Sequence, residues 1–126
     1  MDLTPAVAEG RQMVESYGVG RFRISGVSYD GSVLVFPDAT QPWAVQNIAD
    51  LDYAALSVVT TAEPPVEVLL IGCGASLAPI PSQLRQRLRD AGIGCDAMDT
   101  GAACRTFNIL VAESRRVAAA LIALSE

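Results

Sequence analysis

At 126 residues, 51% of them hydrophobic and 18% charged, the chain has the length and apolar content for one domain with a real core; it is too short for two domains and too apolar for intrinsic disorder. Nine basic residues against fourteen acidic ones give a net charge of −5, and all nine are arginine, which argues against a general electrostatic grip on nucleic acid. With neither histidine nor lysine, Ser/His and Cys/His pairs, Schiff-base lysines and the Walker lysine are excluded, and what remains suits a binding or scaffolding domain better than a self-sufficient enzyme.

Residues 1–10 carry Asp2 and Glu9 without a basic region and do not read as a targeting segment; an N-terminal arm over 1–15 and a single α/β domain over 16–126 are expected. Phe22-Arg23-Ile24-Ser25 alternates apolar and polar, Val27-Ser28-Tyr29 follows, and Ser32-Val33-Leu34-Val35-Phe36 returns after Asp30-Gly31, a pair suited to the positive φ angles of a type I′ turn. This predicts an N-terminal β-hairpin turning at Asp30-Gly31, with a bulge at Gly26 and a return strand closed by Pro37. Leu51, Ala54, Ala55 and Val58 then fall at helical spacing and predict a short helix within 50–60.

Val66, Val68, Leu69, Leu70 and Ile71 form a nearly all-apolar, β-branched run, the pattern of a strand buried on both faces, and it leads straight into Gly72-Cys73-Gly74. Ser82 is placed to cap a helix over 83–91, whose Leu84 and Leu88 form an i, i+4 apolar pair before Gly92 ends it. A strand over 93–98 completes a βαβ unit, which implies parallel neighbours joined by a right-handed crossover. Ala103, Phe107, Leu110 and Val111 suit a second helix over 101–113, broken at Ser114-Arg115-Arg116. The longest apolar run, 117–124, is alanine-rich and reads as helix on propensity alone, yet it falls far short of the roughly 20 residues of a membrane span.

Cys73, Cys95 and Cys104 are odd in number, with no C-x-x-C pair and no histidine, so neither a disulfide framework nor a metal site is expected. Reduced, buried thiols in a cytoplasmic protein are the expectation.

Pro42-Trp43 after a hairpin, the strand Val68-Leu69-Leu70-Ile71 ending in Gly72-Cys73-Gly74, and above all Ala103-Cys104-Arg105-Thr106-Phe107-Asn108-Ile109-Leu110 followed by Arg115-Arg116-Val117-Ala118-Ala119-Ala120-Leu121 carry a resemblance. The chain resembles small bacterial members of the family of mitochondrial respiratory complex I assembly factor 3 and the adipogenesis-associated domain protein, over nearly its whole length. The resemblance implies a three-layer α/β domain with a central mixed sheet, flanking helices and an early hairpin, and it implies a strand at about 117–123 against the propensity reading. It also implies an assembly-factor-like role with a protein partner or membrane-complex client; most members are uncharacterised and no catalytic residues are established for them.

In an open α/β sheet, ligands favour the crevice beyond the carboxyl ends of the strands, where helix N-termini present unpaired amides. Two such ends occur, at Gly72-Cys73-Gly74-Ala75-Ser76 and at Asp99-Thr100-Gly101-Ala102, with Arg105 and Thr106 expected in the first turn of the second helix. Together these residues can hold a small anion. The simpler reading is that the glycines make tight turns, Thr100 caps its helix and Arg105 pairs with Asp99 or Asp96. A G-x-G without a third glycine does not meet the dinucleotide fingerprint, so no cofactor is expected, although Asp96 lies 22 residues after Gly74. Cys73 and Cys104 read either as activated thiols or as small buried hydrophobes. Trp43, the only tryptophan, reads either as an interface anchor or as core.

Overall fold

The computed structural model describes residues 11–125. Of the expected arm, residues 1–10 lie outside that range, and Val14 and Glu15 already belong to the first strand.

Strands β1 (Val14–Gly18), β2 (Arg21–Ile24) and β3 (Val27–Asp30) form a three-stranded antiparallel sheet. In β2 the arginines are exposed while Phe22 and Ile24 are buried, so one face packs inward and the other is wet. The hairpin exists, but it turns five residues earlier than expected. Ile24 pairs with Val27 across Ser25-Gly26, whose φ angles of 46° and 83° supply the two positive values a type I′ turn needs. Gly26 is therefore the turn and not a bulge, and Asp30-Gly31 is where the chain leaves this sheet for a second one. The physical reason lies in β4 (Val33–Val35), which is buried at every position and needs cover on both faces, a setting that β3, exposed or half-buried at every position, does not offer.

The second sheet has the order β5-β4-β8-β6-β7, with β5 (Thr40–Pro42), β6 (Val68–Gly72), β7 (Gly94–Met98) and β8 (Val117–Leu121). β6 is parallel to β7 and to β8, whereas β4 is antiparallel to β8 and β5, so the sheet is mixed. Helix α2 (Ser82–Asp90) connects β6 to β7, and α3 (Thr100–Ala112) connects β7 to β8. Alternate residues divide the core. Leu70, Val117, Ala119 and Leu121 pack with α3 and the three-stranded sheet, while Leu69, Ile71, Ala118 and Ala120 pack with α2 and the segment between β5 and β6. The result is a three-layer α/β domain. In β8, between β4 and β6, tertiary burial overrides the helix propensity of three consecutive alanines.

The single helix expected within 50–60 is instead two 3₁₀ turns, Ile48–Asp50 and Ala54–Leu56, and a one-turn α1 (Ser57–Thr60). Leu51 is extended and buried, which ends the first turn, and the Asp52 carboxylate restarts the chain by accepting from the Ala55 N–H at 2.8 Å. Ser82 is the first helical residue of α2 and not its cap; Pro81 holds the cap position, and its carbonyl accepts the Arg85 N–H. On the outer side of β7, Arg85 Nη1 donates to the Cys95 carbonyl at 2.6 Å. Among the described residues no helix is long and apolar enough to cross a membrane.

Candidate functional site

The ends of β6 and β7 meet at Thr100, which is completely buried. Its hydroxyl donates to the Ile122 carbonyl at 2.7 Å and accepts from the Gly74 N–H at 2.9 Å, while its own N–H donates to the Gly74 carbonyl at 2.8 Å. Cys73 N–H donates to the Met98 carbonyl, and Ile122 N–H donates to the Gly72 carbonyl. Gly72 lets the strands come this close, since a Cβ there would stand 3.0 Å from both Cα and Oγ1 of Thr100. The Gly72–Gly74 backbone and the start of α3 are thus brought together by sequence-distant residues, and their hydrogen-bonding groups are directed at one another.

Thr100 does not cap α3. Asp99 does: its Oδ1 accepts from the Ala102 N–H at 2.9 Å, and its carbonyl accepts from the Ala103 N–H. A carboxylate already occupies the position favourable to negative charge, and an incoming anion would meet it there. Gly101 lies under Tyr17, whose hydroxyl occupies the place a side chain would take. Arg105 and Thr106 stand in the second turn of α3, not the first, and Arg105 Nη1 reaches the Tyr17 hydroxyl at 3.4 Å. Ser76 is exposed on its loop. Gly72, Cys73, Gly74, Thr100 and Gly101 therefore converge, while Ser76, Arg105 and Thr106 stand at the periphery.

All three cysteines are free and buried. Burial pushes the Cys104 thiol up to about 12, against a smaller opposing effect of the Arg105 charge, and burial likewise raises Cys95. Cys104 is protonated at neutral pH, which removes it as a nucleophile there. Cys73 packs with Sγ 3.7 Å from the carbonyls of Ile71 and Ala78. Among the described residues no group of three or more His, Cys, Asp or Glu side chains is placed to hold a metal ion. Trp43 is core and not an exposed anchor: it is 8% exposed, and its Nε1 donates to the Ala55 carbonyl at 2.8 Å.

Sequence reasoning missed Tyr17, Asp99 as the cap, and a groove of about 480 Å³ at the opposite end of the five-stranded sheet, near Ser114, Arg115 and Arg116. There α3 ends in a Schellman motif, with Ser114 N–H bonded to the Val111 carbonyl and Arg115 N–H to the Leu110 carbonyl, and with Ser114 at φ 61° in place of the usual glycine. A polar residue followed by paired arginines just past an apolar helical stripe is the available signal, and by sequence alone it marks only a break.

Residues 14–122 match the family described as "Protein of unknown function (DUF498/DUF598)". The chain belongs to that family. This DUF498/DUF598 chain is 36% identical over 115 residues to the zebrafish (Danio rerio) protein named NADH dehydrogenase [ubiquinone] 1 alpha subcomplex assembly factor 3, covering 91% of the chain and 66% of that protein. It therefore spans just under two thirds of the length of that relative. It is equally 36% identical, over 113 residues, to an uncharacterised protein of Rhodobacter capsulatus, with 90% and 86% of the two chains covered. Among solved structures, a Bartonella henselae protein described as an outer membrane protein superimposes with a TM-score of 0.84 at 39% identity, over 92% of this chain and 98% of that one. A Bordetella pertussis protein described as an Mth938-like domain superimposes with a TM-score of 0.81 at 29% identity, over 100% and 94%. The DUF498/DUF598 fold seen here is thus shared with bacterial proteins of nearly the same extent.

Proposed function

We propose that the chain is a non-enzymatic, assembly-factor-like interaction module that serves a respiratory or other membrane complex through contact with a protein client. The observation that carries this reading is the 36% identity, across 91% of the chain, to a protein named as a complex I assembly factor. The geometry beyond β6 and β7 agrees with it, because the groups that would cradle a small anion at Gly72–Ser76 and Asp99–Thr106 are engaged with one another or faced by the Asp99 carboxylate. A cytoplasmic setting is part of the proposal and is supported by three free thiols, which persist where the medium is reducing.

The test is affinity capture of the tagged full chain from its native host, together with native gel electrophoresis of respiratory complexes in a strain lacking it. Co-purification of membrane-complex subunits and a loss of assembled complex are expected. Capture of no such subunit, with complexes assembled normally in the deletion strain, would overturn the proposal.

A further inference from the structure

The groove at the far end of the five-stranded sheet, about 480 Å³ in volume, has the size of a small-molecule site and is remote from the Gly72–Gly74 loop. Phe36, Pro37, Pro64, Pro65 and Val66 give it an apolar lining. Val58 also lines it and is 41% exposed, so a branched apolar side chain is left facing water where a ligand body would cover it.

The polar lining is rich in donors. Three of the nine arginines in an acidic chain converge there. Arg116 is held by Glu67, to which both its Nε and Nη2 donate. Arg11 and Arg115 have no side-chain hydrogen bond or ion pair with any described residue. Arg11 is placed by its neighbour Gln12, whose N–H donates to the Pro37 carbonyl at 2.7 Å and whose Oε1 accepts from the Thr40 hydroxyl at 2.6 Å. Arg115 is placed by the Schellman turn, in which Ser114 holds a left-handed conformation that strains a non-glycine residue. Thus two guanidinium groups, an apolar wall and a strained turn meet in one concavity.

We propose that this groove binds a small organic monocarboxylate, an apolar body of roughly ten to fifteen non-hydrogen atoms carrying one carboxylate. The guanidinium groups of Arg11 and Arg115 take the carboxylate, for which the planar donor fork is suited, and the Val58, Pro64, Pro65 and Val66 surfaces cover the body. Asp38 and Glu63 also line the groove and oppose negative charge, which favours a single carboxylate over a dianion such as a phosphate ester. This site does not depend on the assembly-factor reading.

The experiment is a heteronuclear NMR titration of the full chain with phenylbutyrate, with the matched alcohol phenylbutanol and with the matched amine phenylbutylamine. Phenylbutyrate at millimolar concentration should shift the amides of Thr61, Val66, Arg115 and Arg116, and the alcohol and amine should bind more weakly. The double variant Arg11→Gln/Arg115→Gln should weaken binding about tenfold, and Asp38→Asn/Glu63→Gln should tighten it. All four side chains belong to exposed residues, and the opposite signs keep a folding defect from imitating the result. Equal response to all three probes, unchanged binding in the arginine variant, shifts mapping elsewhere, or no response to phenylbutyrate would each overturn the proposal. A short apolar peptide with a free carboxyl end supplies the same chemistry from a polypeptide; if it binds more than about tenfold tighter than phenylbutyrate, the small-molecule assignment is overturned in its favour.

Discussion

The side-chain amide of Asn108 holds both backbone groups of Val14: Oδ1 accepts the Val14 N–H at 2.9 Å and Nδ2 donates to the Val14 carbonyl at 2.9 Å. A residue in the middle of α3 thereby acts as a one-residue strand beside β1, at the place where the β1–β2 register shifts between Val14 and Ser16. The bond pair joins the small sheet to a helix 94 positions away in sequence.

Replacing Asn108 by leucine removes both partners and leaves a partly buried N–H and C=O unsatisfied, so a loss of about 2–4 kcal/mol in urea unfolding is expected. Asn108→Asp keeps the acceptor and loses the donor, and should cost about half as much. Equal stability of wild type and the leucine variant would show that solvent replaces the amide without loss.

Ser114 at φ 61° predicts a gain. Ser114→Gly relieves the left-handed strain of the Schellman turn and should raise stability by about 0.5–1 kcal/mol, the unfolded-state entropy of glycine offsetting part of the relief. Differential scanning calorimetry of the two proteins measures it.

The Cys104 thiol, pushed up to about 12 from an ordinary value of 9.0, ties stability to alkaline pH. Folded protein retains a proton that the unfolded chain releases, so the contribution of Cys104 is complete below about pH 9 and is lost progressively as pH rises toward 12. Urea midpoints of wild type and Cys104→Ala measured between pH 7 and 11 should therefore differ by an amount that changes above pH 9, with the wild type falling more steeply. In the folded state Cys104 should also resist alkylation at neutral pH.

Arg105→Ala tests the loop reading. Loss of its contact with Tyr17 should lower the melting temperature modestly, and phosphate or sulfate at about 10 mM should leave the melting temperature of both wild type and variant unchanged, since a ligand that binds the folded state at that level would raise it. A rise in wild type that is absent in the variant would restore an anion to the Asp99–Thr106 loop.

The parts of the fold that were legible in sequence are those decided locally. The apolar run ending at Ile71 marks a strand buried on both faces, and Gly92 and the stripe Ala103, Phe107 and Val111 mark helix boundaries and faces. The hairpin turn was not legible, because Ser25-Gly26 and Asp30-Gly31 are both acceptable turn pairs and the choice between them is made at a distance: the Ser32 Oγ accepts the Ala123 N–H, and the Ser32 carbonyl accepts the Trp43 N–H, which pull the chain after Gly31 into the other sheet. Helix spacing in 50–60 misled because Leu51 is recruited to the core in an extended conformation. In the strand-end site the residue types were visible, but whether Asp99 or Thr100 capped the helix depended on a carbonyl at Ile122. Of the groove at Ser114 only the paired arginines after an apolar helical stripe show locally, because the rest of it is assembled from segments around residues 11, 37 and 62.

The hydrogen bond from Arg85 to the Cys95 carbonyl bears on how this molecule meets others. β7 is the rim of the five-stranded sheet, and a bare carbonyl there would invite a foreign strand to extend it. With a guanidinium fastened over that carbonyl, and with the opposite rim reduced to three residues ending in Pro42, the sheet resists growth strand by strand at either margin. Association at those two margins must then proceed through side-chain surfaces, a mode that releases a partner without tearing a backbone ladder.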